Sequence, residues 1–111
     1  MMIKITDAHI KDGQLDKAAL AEFGADVVEF EGDKITFKTY VEFSGCNSLT
    51  SIEGTAFNGN VEFVECDSLV SVSGATFNGN VEFSWCDSLA SVSGATFKKG
   101  FKAISCPNLK Q

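Results

Sequence analysis

A twenty-residue unit repeats through most of the chain and constrains its fold more than any other feature. Three copies occupy residues 41–60, 61–80 and 81–100, and a fourth begins at residue 101. They read VEFSGCNSLTSIEGTAFNGN, VEFVECDSLVSVSGATFNGN, VEFSWCDSLASVSGATFKKG and FKAISCPNLK, without insertion or deletion. A fixed period of this size is typical of a solenoid, in which each unit buries its apolar side against its neighbours.

Six positions of the unit stay apolar and predict the side of each coil that faces the core. In the second copy they are Val61, Phe63, Cys66, Leu69, Val72 and Phe77. The first two alternate as in a β-strand, and the later ones recur every third residue or more, as in a chain that turns. These positions do not recur every five residues, as the inward positions of a pentapeptide-repeat helix would. We therefore predict a mainly β, right-handed parallel β-solenoid with at least one strand per coil, centred on VEF.

The first forty residues differ from the repeat and predict a cap at one end of the stack. Residues 2–6 favour a short strand. Residues 15–23 favour a helix, with Asp16 as its N-cap and Gly24 after its end. A single helix ahead of stacked strands is most simply a cap that hides the core from water.

The segment between this helix and the repeats has two interpretations. Residues 27–37 alternate apolar and polar side chains around an EGDK turn, which fits either a hairpin or a degenerate first coil. We expect the stacking register to begin near Ile35. The chain is then one domain, with an N-terminal cap over residues 1–40 and three and a half repeats over residues 41–111.

Charge is distributed unevenly along the chain, whose net charge is −6. Residues 41–97 hold seven acidic residues and no basic one, whereas residues 98–111 hold four lysines and no acidic residue. Direct binding to nucleic acid needs a basic surface that neutralises phosphates, so we expect none here. The acidic repeats favour a partner protein with a basic surface, or serve solubility alone.

The four cysteines recur at the repeat spacing and would stack into a column. They have no C-x-x-C spacing, and we interpret them as small buried residues rather than metal ligands. The N-terminal sequence MMIKITDAHI has no apolar segment of a secretion signal, and no stretch is long enough to span a membrane. We expect a cytoplasmic protein with reduced thiols, no metal, no cofactor and no membrane contact.

The repeat resembles a known family over roughly residues 37–111. The pattern V-x-F-x-x-C-x-x-L is similar to the core of leucine-rich repeats. The tract C-x-S-L-x-S-(V/I)-x-G-x-x-F, as in CDSLVSVSGATF, resembles the bacterial BspA-type leucine-rich repeats in particular. This resemblance implies a right-handed solenoid with a parallel sheet on one face, used for binding proteins rather than for catalysis.

The outward face of the VEF strand is the candidate binding surface. Glu42, Glu62 and Glu82 occupy the same position in successive coils, and Lys102 follows in the fourth. Stacking would hold neighbouring carboxylates about 5 Å apart, where each pair repels by roughly 1 kcal/mol in water. Like charges opposite each other destabilise a sheet, so the row is either a functional acidic strip or a by-product of duplication.

Two residues beside this row depart from the sister copies. Val64 replaces a serine, and Trp85 is the only tryptophan of the chain. Exposed aromatic side chains near charges are typical of interface hot spots, although Trp85 could instead pack against its own coil. The predicted partner-binding residues are Glu42, Glu62, Glu82, Val64, Glu65, Trp85, Asp67 and Asp87.

No motif indicates catalysis. His9 has no paired nucleophile, and the sequence contains neither G-x-S-x-G nor a phosphate-binding glycine loop. We also expect no threonine column of the kind that an ice-binding lattice needs. The sequence therefore predicts no enzyme, no catalytic residue and a function in binding.

Three hypotheses of function remain open. The first is a protein-binding solenoid that acts as a small inhibitor or adaptor. The second is a phage-type anti-defence inhibitor, directed at CRISPR or restriction systems, whose acidic row mimics nucleic-acid phosphates. The third is a structural protein that oligomerises through its open C-terminal edge. We expect a monomer, or a dimer through that edge, where lysines discourage further strand pairing.

Overall fold

The computed structural model describes residues 1–110 and shows a mainly β protein with a single short α-helix. In chain order the elements are β1 (Met2–Ile5), β2 (Ile10–Lys11), β3 (Gln14–Leu15), α1 (Lys17–Leu20), β4 (Val28–Glu31), β5 (Lys34–Phe37), β6 (Tyr40–Ser44), β7 (Thr55–Phe57), β8 (Val61–Val64), β9 (Thr76–Phe77), β10 (Val81–Ser84), β11 (Thr96–Phe97) and β12 (Lys102–Ile104).

Two five-stranded sheets run along the stack of coils. The VEF sheet has the order β1-β6-β8-β10-β12, and all its neighbouring strands are parallel. The TF sheet has the order β4-β5-β7-β9-β11 and is parallel except for the β4–β5 pair. Val41 pairs with Val61, and Val61 with Val81, so each strand residue lies beside the residue twenty positions away in the next coil. The predicted parallel β-solenoid is confirmed, and the second strand of each coil is an addition to it.

Two ladders of phenylalanine rings fill the core between the sheets. One ladder consists of Phe43, Phe63 and Phe83, and the other of Phe37, Phe57, Phe77 and Phe97. Neighbouring rings within a ladder are nearly parallel, with centroids 4.7–5.3 Å apart. Rings of the two ladders meet edge to face, with centroids 5.9–6.4 Å apart. Each such contact stabilises the fold by about 0.5–1.5 kcal/mol beyond the burial of the rings. The ladders therefore help to fix the spacing of the coils.

The N-terminal strand is the first strand of the VEF sheet. Ile3 pairs with Val41 and Ile5 with Phe43, so these isoleucines take the V-x-F positions. The expectation that stacking begins near Ile35 is therefore wrong for this sheet. Thirty-eight residues separate Ile3 from Val41 instead of twenty, because an insertion enlarges the first coil.

Residues 27–37 combine the two interpretations that the sequence allowed. β4 and β5 form an antiparallel hairpin, in which Val28 pairs with Phe37. β5 also pairs in parallel with β7, and Phe37 lies in register with Phe57. The second arm of the hairpin is therefore the first coil's strand in the TF sheet.

The predicted helix over residues 15–23 is shorter than expected, because Leu15 belongs to β3, and α1 is followed by a 3₁₀ turn at Ala21–Phe23. Asp16 is its N-cap and accepts a hydrogen bond from the backbone N–H of Ala18 at 3.1 Å. Leu20 is fully buried in the core, and the capping role of this element stays a prediction. Within residues 1–110 no helix has the length and apolar character that crossing a membrane requires.

The enlarged first coil is tied to the repeats by polar contacts as well. The Asp7 carboxylate accepts hydrogen bonds from the backbone N–H and the hydroxyl of Ser48 at 3.0 and 2.8 Å, which lower the pKa of Asp7. The backbone N–H of Thr50 donates to the carbonyl of Gly13 at 2.8 Å. The cap and the first repeat thus share side-chain and backbone bonds.

The TF sheet also carries a threonine column on its outer side. Thr76 pairs with Thr96, and Thr36 lies in the same column beyond Ala56. This short column was not expected, because the two-residue TF strands β9 and β11 were not predicted. Ala56 interrupts the column, so its hydroxyls do not form a continuous lattice.

Candidate binding face

The outer side of the VEF sheet, which we call the outer face, brings the three predicted glutamates into one row. Glu42 pairs with Glu62, and Glu62 with Glu82, in the parallel register. Adjacent strands place their Cα atoms about 4.8 Å apart. The valine and phenylalanine on either side of each glutamate are buried, so the alternation of the strand directs the carboxylates outwards, where they are half-buried.

A lysine closes this row at each end. Lys4 is paired with Glu42, and its Nζ lies 3.6 Å from the Glu42 Oε2. Lys102 is paired with Glu82. The exposed ion pair of Lys4 with Glu42 contributes at most about 1 kcal/mol. Glu62 has a glutamate on both sides and no lysine beside it, so its charge is the least compensated of the three.

The sequence did not predict two residues that lie beside the glutamate row, Lys4 and Tyr40. Lys4 was missed because it precedes Glu42 by thirty-eight residues rather than twenty. Tyr40 was missed although it directly precedes the VEF strand. A hydrogen bond with Glu62, then burial and the negative charges of the glutamates, raise the pKa of Tyr40 to about 12. The raised pKa keeps the Tyr40 hydroxyl neutral beside the central carboxylate.

Tyr40 provides a direct test of this geometry, because it is the only tyrosine of the chain. We expect its ultraviolet absorbance titration to have a midpoint near pH 12, and Glu62→Gln to move the midpoint towards the ordinary value of 10. Because folding raises this pKa, the stabilisation from the neutral hydroxyl is complete below pH 10 and is lost as the pH rises through about 12.

Glu82→Gln is the matched control for this titration, since its charge is the weakest of the causes that raise the pKa of Tyr40. We expect it to move the midpoint less than Glu62→Gln does. Equal shifts from the two variants would contradict a hydrogen bond between Tyr40 and Glu62.

An apolar patch lies at the carboxyl ends of the VEF strands. Val64 and Ile104 flank Ser84 in register, and Trp85 follows directly. Trp85 is 57% exposed and Ile104 is 39% exposed. The alternative in which Trp85 packs against its own coil therefore does not hold for most of its surface. The acidic row and this patch are adjacent parts of one face.

The backbone at Trp85 is strained. Trp85 and Glu65 have φ values of 57° and 56°, and the equivalent residue of the first copy is Gly45 at 60°. The left-handed conformation costs a side-chain-bearing residue about 1–2 kcal/mol, and here neither side chain is buried. Stability of the fold thus does not explain a tryptophan at this position.

The other predicted residues lie beyond the sheet, in the turns that follow the strands. Glu65, Asp67 and Asp87 are all exposed. The carbonyl of Asp87 accepts a hydrogen bond from the Asn108 side chain at 2.6 Å, which holds the turn to the next coil. The predicted set therefore divides into an outer-face group (Glu42, Glu62, Glu82 and Val64) and a rim group (Glu65, Trp85, Asp67 and Asp87).

On the outer face, the amino ends of the VEF strands line a shallow groove of about 350 Å³. Its polar lining includes Tyr40, Asn60, Glu62, Asn80, Glu82 and Lys102. The backbone N–H of Asn80 donates to the side-chain oxygen of Asn60 at 2.9 Å, which ties the Asn60 side chain to the next coil. The acidic row thus has an amide border on one side and an apolar border on the other.

The cysteine column is part of the core. Cys46, Cys66 and Cys86 are buried, Cys106 is half-buried, and all four thiols are free. Three of the thiols donate to a carbonyl of the preceding coil: Cys46 to Ile5 (3.3 Å), Cys86 to Phe63 (3.4 Å) and Cys106 to Phe83 (3.5 Å). Hydrogen bonds with the neighbouring thiols, together with burial, raise the pKa of Cys66. Three of the cysteines thus fill space beside the preceding strand, while the thiol of Cys66 faces the carbonyl of Val64 in its own coil at 3.9 Å.

Residues 1–110 contain no group of three or more His, Cys, Asp or Glu side chains placed to hold a metal ion. The resemblance to BspA-type leucine-rich repeats stays a prediction that depends on the repeat residues alone. Comparison with protein-family models, with curated proteins and with solved structures gives no match for this chain.

Proposed function

We propose that this chain is a non-enzymatic protein-binding solenoid that acts as a small inhibitor or adaptor through its acidic outer face. The observation that supports the proposal most is the position of Glu62, half-buried between two other glutamates. The sheet gains no stability from like charges in register. A lysine or arginine of a partner would relieve that repulsion, and complementary charge would also speed association.

The size of the outer face limits the kind of partner. Five strands about 4.8 Å apart, with some five residues of about 3.3 Å each, give an area on the order of 400 Å². A standard interface uses about 800 Å² of each partner. A folded partner must therefore also contact the rim, where Trp85 lies. An exposed tryptophan beside the acidic row is the kind of residue that carries binding energy in such interfaces.

The pattern of charge favours a compact basic group as the partner's contact. The row contains three carboxylates and ends in Lys4 and Lys102. A nucleic-acid strand is instead an uninterrupted line of negative charge, with one phosphate for about every 3.4 Å of duplex axis. The bracketing lysines make the outer face a better complement to one or two basic side chains than a substitute for a phosphate backbone.

The test is affinity capture from a lysate of the source cells with matched variants. We expect the wild type and Asp26→Asn/Glu31→Gln to recover the same protein, because these two acids are exposed in the N-terminal cap. Glu62→Gln/Glu82→Gln carries the same change of charge on the outer face and should lose that protein. Trp85→Ala should weaken the measured affinity by about 30-fold, the loss of roughly 2 kcal/mol typical of a hot spot.

Two outcomes would contradict the proposal. Recovery of the same protein with unchanged affinity by all variants would show that the outer face is not the binding site. A partner affinity that falls steeply between low and moderate salt, without dependence on Trp85, would favour the phosphate-mimic hypothesis instead.

A further inference from the structure

The TF sheet has an unpaired strand edge at β4, in the interior of the sequence. β4 is the outermost strand of this sheet and pairs only with β5. In the sequence β4 follows α1 and the 3₁₀ turn, and β5 follows β4. The open edge therefore arises from the path of the chain between α1 and β5.

The backbone of Phe30 points to this edge. Phe30 lies opposite Ile35, whose N–H donates to the carbonyl of Gly54 in the next coil at 3.2 Å. At the other end of the hairpin the N–H of Lys38 donates to the carbonyl of Val27 at 2.8 Å. Hydrogen-bonded and non-hydrogen-bonded pairs alternate along an antiparallel ladder, so the pair of Phe30 and Ile35 is of the second kind. The N–H and C=O of Phe30 thus face away from β5, where no other segment within residues 1–110 bonds to them.

A groove of about 650 Å³ borders the same edge. Its lining comes from β4 and from the turn after α1, where it includes Ala21, Gly24 and Ala25. Phe30 lines the groove as well, and its side chain is 37% exposed although Ile35 opposite it is buried. Binding sites for ligands typically have volumes of about 300–1,000 Å³. The groove thus combines free backbone groups with an apolar contact.

The segment that forms the groove is strongly acidic. Glu29 forms an ion pair with Lys38 at 2.7 Å, and Glu31 lies opposite Lys34 in register without an ion pair within residues 1–110. Residues 21–31 contain no basic residue and four acidic ones, all exposed: Glu22, Asp26, Glu29 and Glu31. The charge of the groove therefore favours a basic occupant.

We propose that β4 binds an extended basic segment of a partner protein as an additional antiparallel strand in this groove. An apolar residue of the segment lies opposite Phe30, exchanges both backbone hydrogen bonds with it and covers its ring. The basic residues on either side of that apolar residue lie opposite Glu29 and Glu31. In such strand addition the backbone supplies affinity and the alternating side chains supply specificity, here through opposite charges in register.

Charge argues against a second copy of the chain as the occupant. If two β4 strands paired antiparallel about Phe30, Glu29 of each copy would lie opposite Glu31 of the other. Like charges in register destabilise a sheet, so a basic segment fits this edge better than β4 of another copy.

The probe is the end-blocked peptide TKVKT with an uncharged dye, and the readout is fluorescence anisotropy. We expect it to bind the wild type, and to bind Glu31→Lys about ten-fold more weakly because an attraction becomes a repulsion. The peptide TEVET should prefer Glu31→Lys to the wild type, which also demonstrates that the variant is folded. Glu53→Lys is the matched control, because Glu53 is exposed in a turn of the first repeat and its replacement changes the net charge equally.

Methylation of single peptide nitrogens tests the strand pairing separately from the charge. The valine N–H of TKVKT would donate to the carbonyl of Phe30, so its methylation should abolish binding. The N–H of the first lysine would point away from β4, so its methylation is the control and should leave most of the affinity.

Three results would overturn this inference. Equal binding of TKVKT to the wild type and to Glu31→Lys would remove the role of charge, and full affinity after methylation of the valine would exclude strand addition. A concentration-dependent dimer in sedimentation velocity that Glu31→Lys alters would make a second copy the occupant. The inference goes beyond the proposed function and fails separately from it, because Glu62→Gln/Glu82→Gln should keep its affinity for TKVKT.

Discussion

Phe63→Ala should lower the free energy of unfolding by about 3–5 kcal/mol, the largest change that we predict. Phe63 is fully buried, and its ring centroid lies 4.7 Å from that of Phe43 and 5.1 Å from that of Phe83. Rings of the other ladder approach it at 6.1 Å on both sides. Strand pairing holds these neighbours at the coil spacing, so they cannot collapse into the cavity. Urea denaturation followed by circular dichroism measures the change.

Phe101→Ala is the matched control, because it removes the same ring from the half-buried last coil. Phe101 contacts only Phe83 and Phe97 among the rings, at 6.1 and 5.0 Å. We expect a loss of about half that of Phe63→Ala, since less surface is exposed anew and the site can relax. Equal losses from the two variants would contradict the importance of the enclosed ladder.

The inward face of the solenoid was predictable because stacking converts sequence period into spatial columns. Residues twenty positions apart lie in register, so a position that stays apolar in every copy becomes a continuous buried column. All six positions named for the second copy are buried, from Val61 to Phe77. The repeat period alone therefore predicts which side chains point into the core, even where the turns between the strands are unknown.

Three strands of the fold could not be placed from the repeat period in the same way. The TF strands β9 and β11 contain only two residues each, which is too short to show alternation. β1 has the correct pattern in Ile3 and Ile5, but an insertion places it thirty-eight residues before its partner. A search at a fixed period cannot detect a member at another distance. Only the paired backbone shows that β1 completes the sheet.

The candidate site followed the same division. The glutamate row depends on the repeat alone and was predicted from it. The lysine at its first end and the hydrogen bond of Tyr40 depend on contacts between residues that have no fixed spacing. The exposure of Trp85 depends on the left-handed turn, because the same residue in an extended strand could have turned inwards. The surroundings of these side chains therefore could not be predicted without the three-dimensional structure.

Gly79→Ala should lower the free energy of unfolding by about 2–3 kcal/mol, more than any other glycine substitution. A Cβ at this position would lie 2.6 Å from the carbonyl oxygen of Gly59 and 2.7 Å from its carbon. These are backbone atoms of the preceding turn and cannot move as a side chain would. Relief requires the two coils to separate, whereas the adjoining strands hold them about 4.8 Å apart. Chemical denaturation again measures the loss.

Gly45→Ala is the informative control, because backbone conformation alone would rank the two substitutions in the opposite order. Gly45 has a φ of 60°, which disfavours a side chain, whereas Gly79 is not among the glycines of positive φ. Nothing lies within 4 Å of a Cβ at Gly45, and Glu65 and Trp85 occupy the equivalent position in the next coils. We expect Gly45→Ala to cost at most about 1 kcal/mol, because the alanine also reduces the entropy of the unfolded chain. A larger loss at Gly45 than at Gly79 would show that local strain, and not the contact between stacked turns, limits this fold.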